Sequence, residues 1–305
     1  LQMSKVLVTG ASGLIGSHLS SFWENKGHHV LKLRRKASGD FPPGPSELYV
    51  DLCQGIFPYE TFENTDVVAH FAGENVGKQR WTKAYKQKMW DSRVLGTKRL
   101  VEGLQKLSNP PKVLLSASAV GVYGDCGNEI IDEERSPGTG FLSDLGALWE
   151  QEALAMSNVG TRVVLLRIGV VITPYGGAIK RMKPTFLCCM GGAIGSGKQY
   201  VSWIDLEDLI PAIDFLAFDS TLEGAVNISS PNPVTSAQWA NLLGRSLGRP
   251  ASMNLPSWLA RGCFGEFSDV LLSSQRTSSK KLQDAGFDFK YPDMENSLNH
   301  YFKKE

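Results

Sequence analysis

A chain of 305 residues, 42% of them hydrophobic, can bury a substantial core, as one α/β domain or as one with a smaller partner. Its 32 Lys and Arg balance 31 Asp and Glu to a formal net charge of +1, which offers no field to gather nucleic acid or anionic lipid. No apolar run approaches 18 residues and no early segment has signal-peptide form, so a soluble, cytoplasmic protein is expected. Leu1-Gln2 ahead of Met3 reads as a remnant of cloning. Cys53, Cys126, Cys188, Cys189 and Cys263 form no C-x-x-C pair, and the five histidines form no i, i+4 pair. Reduced thiols and no metal are expected.

In chain order, the first informative stretch is Val6-Leu7-Val8-Thr9-Gly10-Ala11-Ser12-Gly13-Leu14-Ile15-Gly16. An apolar strand gives way to glycines at every third place and then to a helix from Leu14 to Trp23. The first glycine suits a tight turn, the second lets a pyrophosphate approach, and the third lets the helix pack on the strand. Gly10, Ser12, Gly13, Leu14, Ile15 and Gly16 are therefore expected at a dinucleotide, with the positive end of the helix on its phosphates.

His29-Val30-Leu31-Lys32-Leu33 alternates as the second strand and runs into Arg34-Arg35-Lys36. A site that prefers NAD carries an acidic residue about 20 residues past the glycines, on the ribose 2′-hydroxyl. Arginines stand there instead. A guanidinium grips a 2′-phosphate with two parallel bonds, and one charge-assisted bond is worth roughly 1.5–3 kcal/mol. Arg34 and Arg35 are expected to select NADP(H); a solvated basic turn is the plainer alternative. Residues 39–46, rich in Gly, Pro and Ser, read as a surface loop. Glu47 to Leu52 reads as the third strand. Asp51 and Leu52 end it where a carboxylate can accept from the adenine amino group, or where it simply closes a strand.

Asp66 to Gly73 is the fourth strand, and open α/β sheets bind ligands at the carboxyl ends of strands. Ala72 and Gly73 there allow the backbone to approach the nicotinamide ribose. Lys78 to Leu107 reads as one long helix or two, with Trp81, Tyr85, Met89, Val94, Val101 and Leu104 at core spacing. Lys88 and Arg93 are candidates for the active-site side, against the alternative of a solvated face. Val113 to Ser118 forms the fifth strand and leads through Ala119 to Gly124. Ser116 and Ser118 share one of its faces. Phe141 to Met156 is a helix, and Thr161 to Thr173 a very apolar sixth strand.

From Pro174 the rhythm changes. Lys180, Arg181 and Lys183 make a solvated helix face or greet an anionic substrate. Tyr200 to Ile204 is a short strand, and the acidic run from Asp205 opens a helix that reaches Phe218. Ala225 to Ser229 is a strand that returns to the main sheet. Thr235 starts a helix to Leu247, closed by Gly248 and Pro250. From Ala251 a small helical lobe follows, with a helix start at Ser279, an alternating strand from Gly286 to Pro292, and a helix from Asp293 to Phe302. The expected division is a Rossmann domain over 3–173, to whose doubly wound parallel sheet about 200–230 return, and a mainly substrate-side C-terminal lobe over 174–305. The cleft between them would take a small molecule.

Several stretches are similar to those of extended, atypical short-chain dehydrogenase/reductases, in the NADP-binding epimerase family branch. They include the glycine spacing G-x-x-G-x-x-G, His70 to Asn75, Arg80-Trp81, Ser92 to Thr97, Ser116 to Gly124 and Trp149-Glu150. Gly192 to Gly197, Trp203-Ile204, Leu271 to Arg276, Ala285-Gly286-Phe287 and Tyr291-Pro292 extend the resemblance over nearly the whole chain. The resemblance implies about seven sheet strands. It also implies cofactor contacts at the glycine loop, Arg34, Arg35, Phe71, Ala72, Lys88 or Arg93, and the Val170-Val171 end of strand six. The branch is bacterial and organellar in spread, so an organellar place is the alternative to a cytoplasmic one.

Members of that wider group move protons with a Ser and a Y-x-x-x-K pair, the Lys lowering the Tyr pKa. None of the eight tyrosines here has Lys four residues on. Counted back from Trp149-Glu150, the Tyr place falls near Leu142 and the Lys place near Gly146. Two readings follow. One is an oxidoreductase or epimerase with rearranged groups: Ser118 the retained hydroxyl, Tyr123 the proton donor, with Lys88, Arg93 or Glu74 as helpers. The other is a noncatalytic NADP(H)-binding module that reports redox state to a partner.

Overall fold

The alternation of the first strand sets the architecture. In β1 (Lys5–Thr9), Val6 and Val8 join one core and Leu7 another, and all three are fully buried. A strand buried on both faces needs helices above and below it. The chain, described over residues 3–35, 46–54 and 59–303 by a computed structural model, supplies them. The other strands of the central sheet are β2 (His29–Arg34), β3 (Glu47–Tyr49), β4 (Val67–His70), β5 (Val113–Ala119), β6 (Arg162–Ile168) and β7 (Gly224–Ile228). They lie in the order β3-β2-β1-β4-β5-β6-β7, every pair parallel. Strand order therefore reverses between β1 and β4, which opens a crevice at their carboxyl ends.

The helices are α1 (Leu14–Asn25), α2 (Lys83–Trp90), α3 (Gly96–Leu104), α4 (Phe141–Leu154), α5 (Gly177–Leu187) and α6 (Leu206–Phe218). Five follow: α7 (Ser236–Ser246), α8 (Ser257–Phe264), α9 (Ser268–Leu272), α10 (Lys280–Asp284) and α11 (Met294–Phe302). On the Val6 face α1 and α6 pack Leu19, Trp23, Leu209 and Ile213. The Trp23 indole donates to Asp214 Oδ1 at 2.9 Å, so its burial leaves no polar atom unpaired. On the Leu7 face α3 and α4 bring Leu100, Leu104 and Ala153. A third core, with Ile179, Trp203, Trp239, Leu243 and Leu298, holds α5, α7 and α11 together.

Four elements differ from the sequence reading, three of them through a partner far along the chain. The sixth strand breaks at Gly169: Gly169 N–H bonds Ile228 O in the central sheet, while Val170 N–H bonds Ser202 O. Val170–Ile172 then pairs with Trp203–Asp205 outside that sheet. A Cβ on Gly169 would lie 2.9 Å from Ser202 O, so the crossing needs a glycine. The strand from Tyr200 breaks at Ser202, whose Oγ donates to Gln275 O at 2.9 Å. Gly286 to Pro292 is not a strand; the N–H groups of Lys290 and Tyr291 go to the Asp208 carboxylate at 2.7 and 2.8 Å instead. The third strand stops at Tyr49 because Asp51 turns the chain, its Oδ1 accepting from Cys53 N–H at 2.9 Å. Of the loop expected at 39–46, residues 39–45 lie outside the described residues.

The long helical stretch is two helices joined without a break in direction by one wide π turn, Asp91–Leu95. Such turns insert a residue and re-aim its neighbours, and they cluster at functional sites. This one carries Arg93.

Candidate functional site

The glycine turn has the geometry its spacing predicts. Gly10 has φ +66°, and a Cβ there would sit 2.6 Å from Phe71 O; one on Gly16 would sit 2.4 Å from Gly10 O. Gly13 is the N-cap of α1, with no side chain capping it, and the first helical bond runs from Ser17 N–H to Gly13 O. The N–H groups of Leu14, Ile15 and Gly16 precede that bond, so no carbonyl of their own helix takes them. Gly10, Gly13, Leu14, Ile15 and Gly16 line a cleft of about 1460 Å³; Ser12 is exposed beside it. Unspent donors at a positive helix end are a ready anion site.

Phe71, Gly73 and Glu74 continue the wall, and Ala72 is held behind it, its N–H on Thr9 Oγ1 at 3.2 Å. Thr9 Oγ1 also meets Nδ1 of the fully buried His70 at 2.6 Å, and His70 Nε2 meets Thr97 Oγ1 at 2.7 Å. Burial, and then the charge of Arg93, push the His70 pKa down to about 4, so the ring is neutral. Arg93 lines the cleft beneath Gly73, gives Nη1 to Glu74 O at 2.9 Å, and lies 5.1 Å from the Trp149 ring. Burial lowers its pKa to about 10, against the opposing pull of Tyr85 and Glu74, which still leaves it charged at neutral pH. Lys88 is exposed on α2 and does not line the cleft, so of the two residues Arg93 is the one the fold brings in.

Arg34 ends β2 and Arg35 follows it, beside the end of β1. Each already has a carboxylate: Arg34 Nη1 is 3.0 Å from Glu47 Oε1, and Arg35 Nη2 is 3.3 Å from Glu74 Oε2. Asp51 is occupied by its own turn, and Leu52 is buried in the core rather than open to a ligand. Val171 lines the cleft farther along. Lys180, Arg181 and Lys183 do not: Arg181 donates to Gly77 O and Lys183 sits over the Phe302 ring.

The two expected catalytic hydroxyls border the cleft but are tied into a buried network. Ser118 Oγ donates to Glu150 Oε1 at 2.6 Å. Arg167 grips both oxygens of Glu150, Nε at 2.9 Å and Nη2 at 2.8 Å, and gives Nη1 to Tyr123 Oη at 2.9 Å. Tyr123 O–H in turn donates to Asn227 Oδ1 at 2.7 Å. Tyr123 is 1% exposed, and burial pushes its pKa up to about 12 even against the Arg167 guanidinium. That environment opposes proton release near neutrality. The one proton of Ser118 is likewise committed, so toward the cleft it can only accept. Leu142 and Gly146 line the same wall, and a Cβ on Gly146 would meet the Val122 side chain at 3.2 Å. A side chain there would need Val122 to give way by a few tenths of an ångström.

Arg167 and Asn227 were not singled out by the sequence, and Glu150 only as part of Trp149-Glu150, although a lone arginine inside the run Val163 to Ile168 requires a buried counter-charge. The opposite wall comes from the lobe expected on the substrate side, but its residues were not named as site residues. It comprises Arg261, Glu266, Asp269, Leu272 and Gln275, from α8, α9 and the segments that flank them. Lys86 holds Glu266 at 2.7 Å and Arg80 donates to Gly262 O at 3.2 Å, strapping this wall to the α2 side. A second depression, of about 740 Å³, lies between Asp132–Glu134, Asp219–Leu222 and Lys280–Ala285 at the β7 edge, away from the glycine turn. Among the described residues no cluster of His, Cys, Asp or Glu can hold a metal, and no helix is long and apolar enough to cross a membrane.

Comparison with known proteins agrees with this geometry. The family model for the NAD dependent epimerase/dehydratase family matches residues 6–229, and a domain of unknown function, DUF1731, matches residues 255–301. An epimerase family protein of Mycobacterium bovis is 38% identical over 296 residues, covering 97% of this chain and 96% of its own. One from Staphylococcus aureus is 33% identical over 303 residues, covering 99% and 100%. The crystal structure of the human epimerase family protein SDR39U1 (isoform 2) with NADPH superposes with a TM-score of 0.88 at 28% identity, over 99% of this chain and 100% of that one. UDP-glucose 4-epimerase of Thermus thermophilus with NAD, at 20% identity and TM-score 0.75 over 98% of both chains, shares the fold. A glycine turn at the switch point of a seven-stranded parallel sheet, and matches along almost the whole length, place this chain in the NAD-dependent epimerase/dehydratase family.

Proposed function

We propose that the protein binds NADP(H) across the β1/β4 switch point and acts as an oxidoreductase or epimerase of the short-chain dehydrogenase/reductase type on a small carbonyl or alcohol. The observation that carries the reading is the uncapped start of α1 opening onto a cleft of about 1460 Å³, against the 300–1,000 Å³ of a usual small-ligand site. That volume leaves room for a second molecule beside a dinucleotide. The N–H groups of Leu14, Ile15 and Gly16 would hold the pyrophosphate, and Arg34 and Arg35 the 2′-phosphate. Phe71, Gly73, Arg93 and Val171 would border the rest. When bound, NADP(H) supplies the redox chemistry. The chain's own part is to orient it, to exclude water beneath the α8–α9 wall, and to accept a substrate hydroxyl at Ser118 Oγ. NADPH bound to the human relative supports the choice of cofactor.

A second reading, a noncatalytic NADP(H)-binding module that signals to a partner, draws on a specific observation: Leu142 and Gly146 occupy the proton-pair places, and the nearby hydroxyls are spent. Fluorescence titration with NADPH, followed by a panel of carbonyl compounds, separates the two. Oxidation of bound NADPH by a panel member that also carries a hydroxyl, lost in Ser118→Ala, supports the enzyme. Tight binding without turnover, unchanged in Ser118→Ala and Tyr123→Phe, supports the module. Failure to bind NADPH ends both.

A further inference from the structure

We infer that Glu74 sets cofactor selectivity by competing with the 2′-phosphate for Arg35, so that it weakens binding of NADP(H) and leaves that of NAD(H) alone. The inference rests on the NADP(H) reading above. It starts from topology. The sheet neighbours of β1 are β2 and β4, Arg35 follows β2, and Glu74 lies beyond β4. A contact between the two must therefore pass over the end of β1, across the mouth of the glycine turn.

The contact is lopsided. Arg35 Nη1 and Nη2 both reach a single oxygen, Glu74 Oε2, at 3.3 Å, rather than forming two parallel bonds to two oxygens. Glu74 is the fixed end: its N–H donates to Ser92 Oγ at 3.0 Å, its carbonyl takes Arg93 Nη1 at 2.9 Å, and its side chain is 12% exposed. Arg35 is the free end, its side chain 67% exposed. Lys78 approaches the other oxygen, Oε1, at 3.4 Å. Burial pushes the Glu74 carboxyl up, but Lys78 and Arg35 outweigh it and hold the group below its ordinary range. At neutral pH it is charged, and Arg35 waits already paired.

An incoming 2′-phosphate has to take Arg35 from that carboxylate, whereas a 2′-hydroxyl has nothing to displace. A half-exposed ion pair on one oxygen is weak, and a phosphate accepts the guanidinium fork through two oxygens. The pair therefore lowers the preference for the phosphorylated cofactor without abolishing it. Lys78 works in the opposite sense, since it shares the carboxylate and loosens its hold on Arg35.

Fluorescence titration of the full chain with NADPH and with NADH tests this. Glu74→Gln keeps the backbone contacts and is expected to tighten NADPH about fivefold, with NADH changed by less than about twofold. Lys78→Gln is expected to weaken NADPH by about twofold, because Arg35 becomes the only cation on the carboxylate among the described residues. In an Arg35→Gln background the Glu74→Gln gain should vanish, the coupling that a double-mutant cycle reads. A flat NADPH response to Glu74→Gln, or equal weakening of both nucleotides, overturns the inference while wild-type binding of NADPH leaves the reading of the site standing. Wild type that binds neither nucleotide overturns both.

Discussion

At the glycine turn the N–H groups of Leu14, Ile15 and Gly16 have no acceptor within their own helix. At the end of β5, some strands away, Ser118, Glu150, Arg167, Tyr123 and Asn227 consume one another's donors and acceptors. The first region is built to receive and the second to hold. A site with both a free proton pair and a free phosphate cradle would read as a working reductase without further argument. Here the two functions have come apart, and the chemistry depends on whether the closed end ever opens.

The largest effect should come from breaking the closed end. Arg167→Met strands a buried carboxylate, so stability should fall by about 3–5 kcal/mol in urea unfolding, while Arg167→Met with Glu150→Leu recovers most of it. If folded Arg167→Met also loses NADPH, the two regions are not separable. At the open end, Arg34→Gln removes one charge-assisted bond, so NADPH should weaken by about 10- to 100-fold and NADH should not. Equal loss for both nucleotides would place the 2′-phosphate elsewhere.

Acid gives a test of similar size to the second. His70 is neutral when folded, with its pKa pushed down to about 4, while an unfolded histidine titrates near 6.5. Below pH 6.5 the unfolded chain therefore binds more protons, and stability falls until the folded histidine titrates near pH 4. Between pH 7 and pH 5 the loss from this group should be about 2 kcal/mol, and His70→Gln should flatten that part of the slope. An unchanged slope would show that His70 titrates in the fold as it does in the unfolded chain. The smallest effect belongs to the strap: Lys86 and Glu266 are 28% and 54% exposed, so Lys86→Gln should cost less than about 1 kcal/mol. A larger loss would mean that the far wall carries the fold, not only the cleft.

What could be read in advance was what neighbours decide. Val6-Leu7-Val8 and the three glycines state their strand, turn and helix within eleven residues, and Thr235 with Gln238 states a helix start within four, both bonds of the capping box being present. What could not be read was what distant groups decide. Phe287, Phe289 and Tyr291 alternate like a strand, but their backbone answers to Asp208, some 80 residues earlier. Ser118 and Tyr123 looked available because their partners, Glu150, Arg167 and Asn227, come from α4, β6 and β7. The glycine turn is a local motif and the Ser118–Tyr123 network a meeting of strands, which is why the geometry of the first was legible and that of the second was not.

The crossing at Gly169 governs how the cleft can adapt to what enters it. Consecutive amides there serve different sheets, one bonding Ile228 and the next Ser202. A jaw joined by adjacent peptide groups has no slack at its corner, unlike one joined by a linker. The width beside Val170 and Val171 is accordingly a fixed gauge, and any adjustment to ligand size falls to the opposite side, where Arg261, Asp269 and Gln275 stand on short helices and turns. Selectivity for a molecule entering beside the dinucleotide would then rest on that rim rather than on the Rossmann floor.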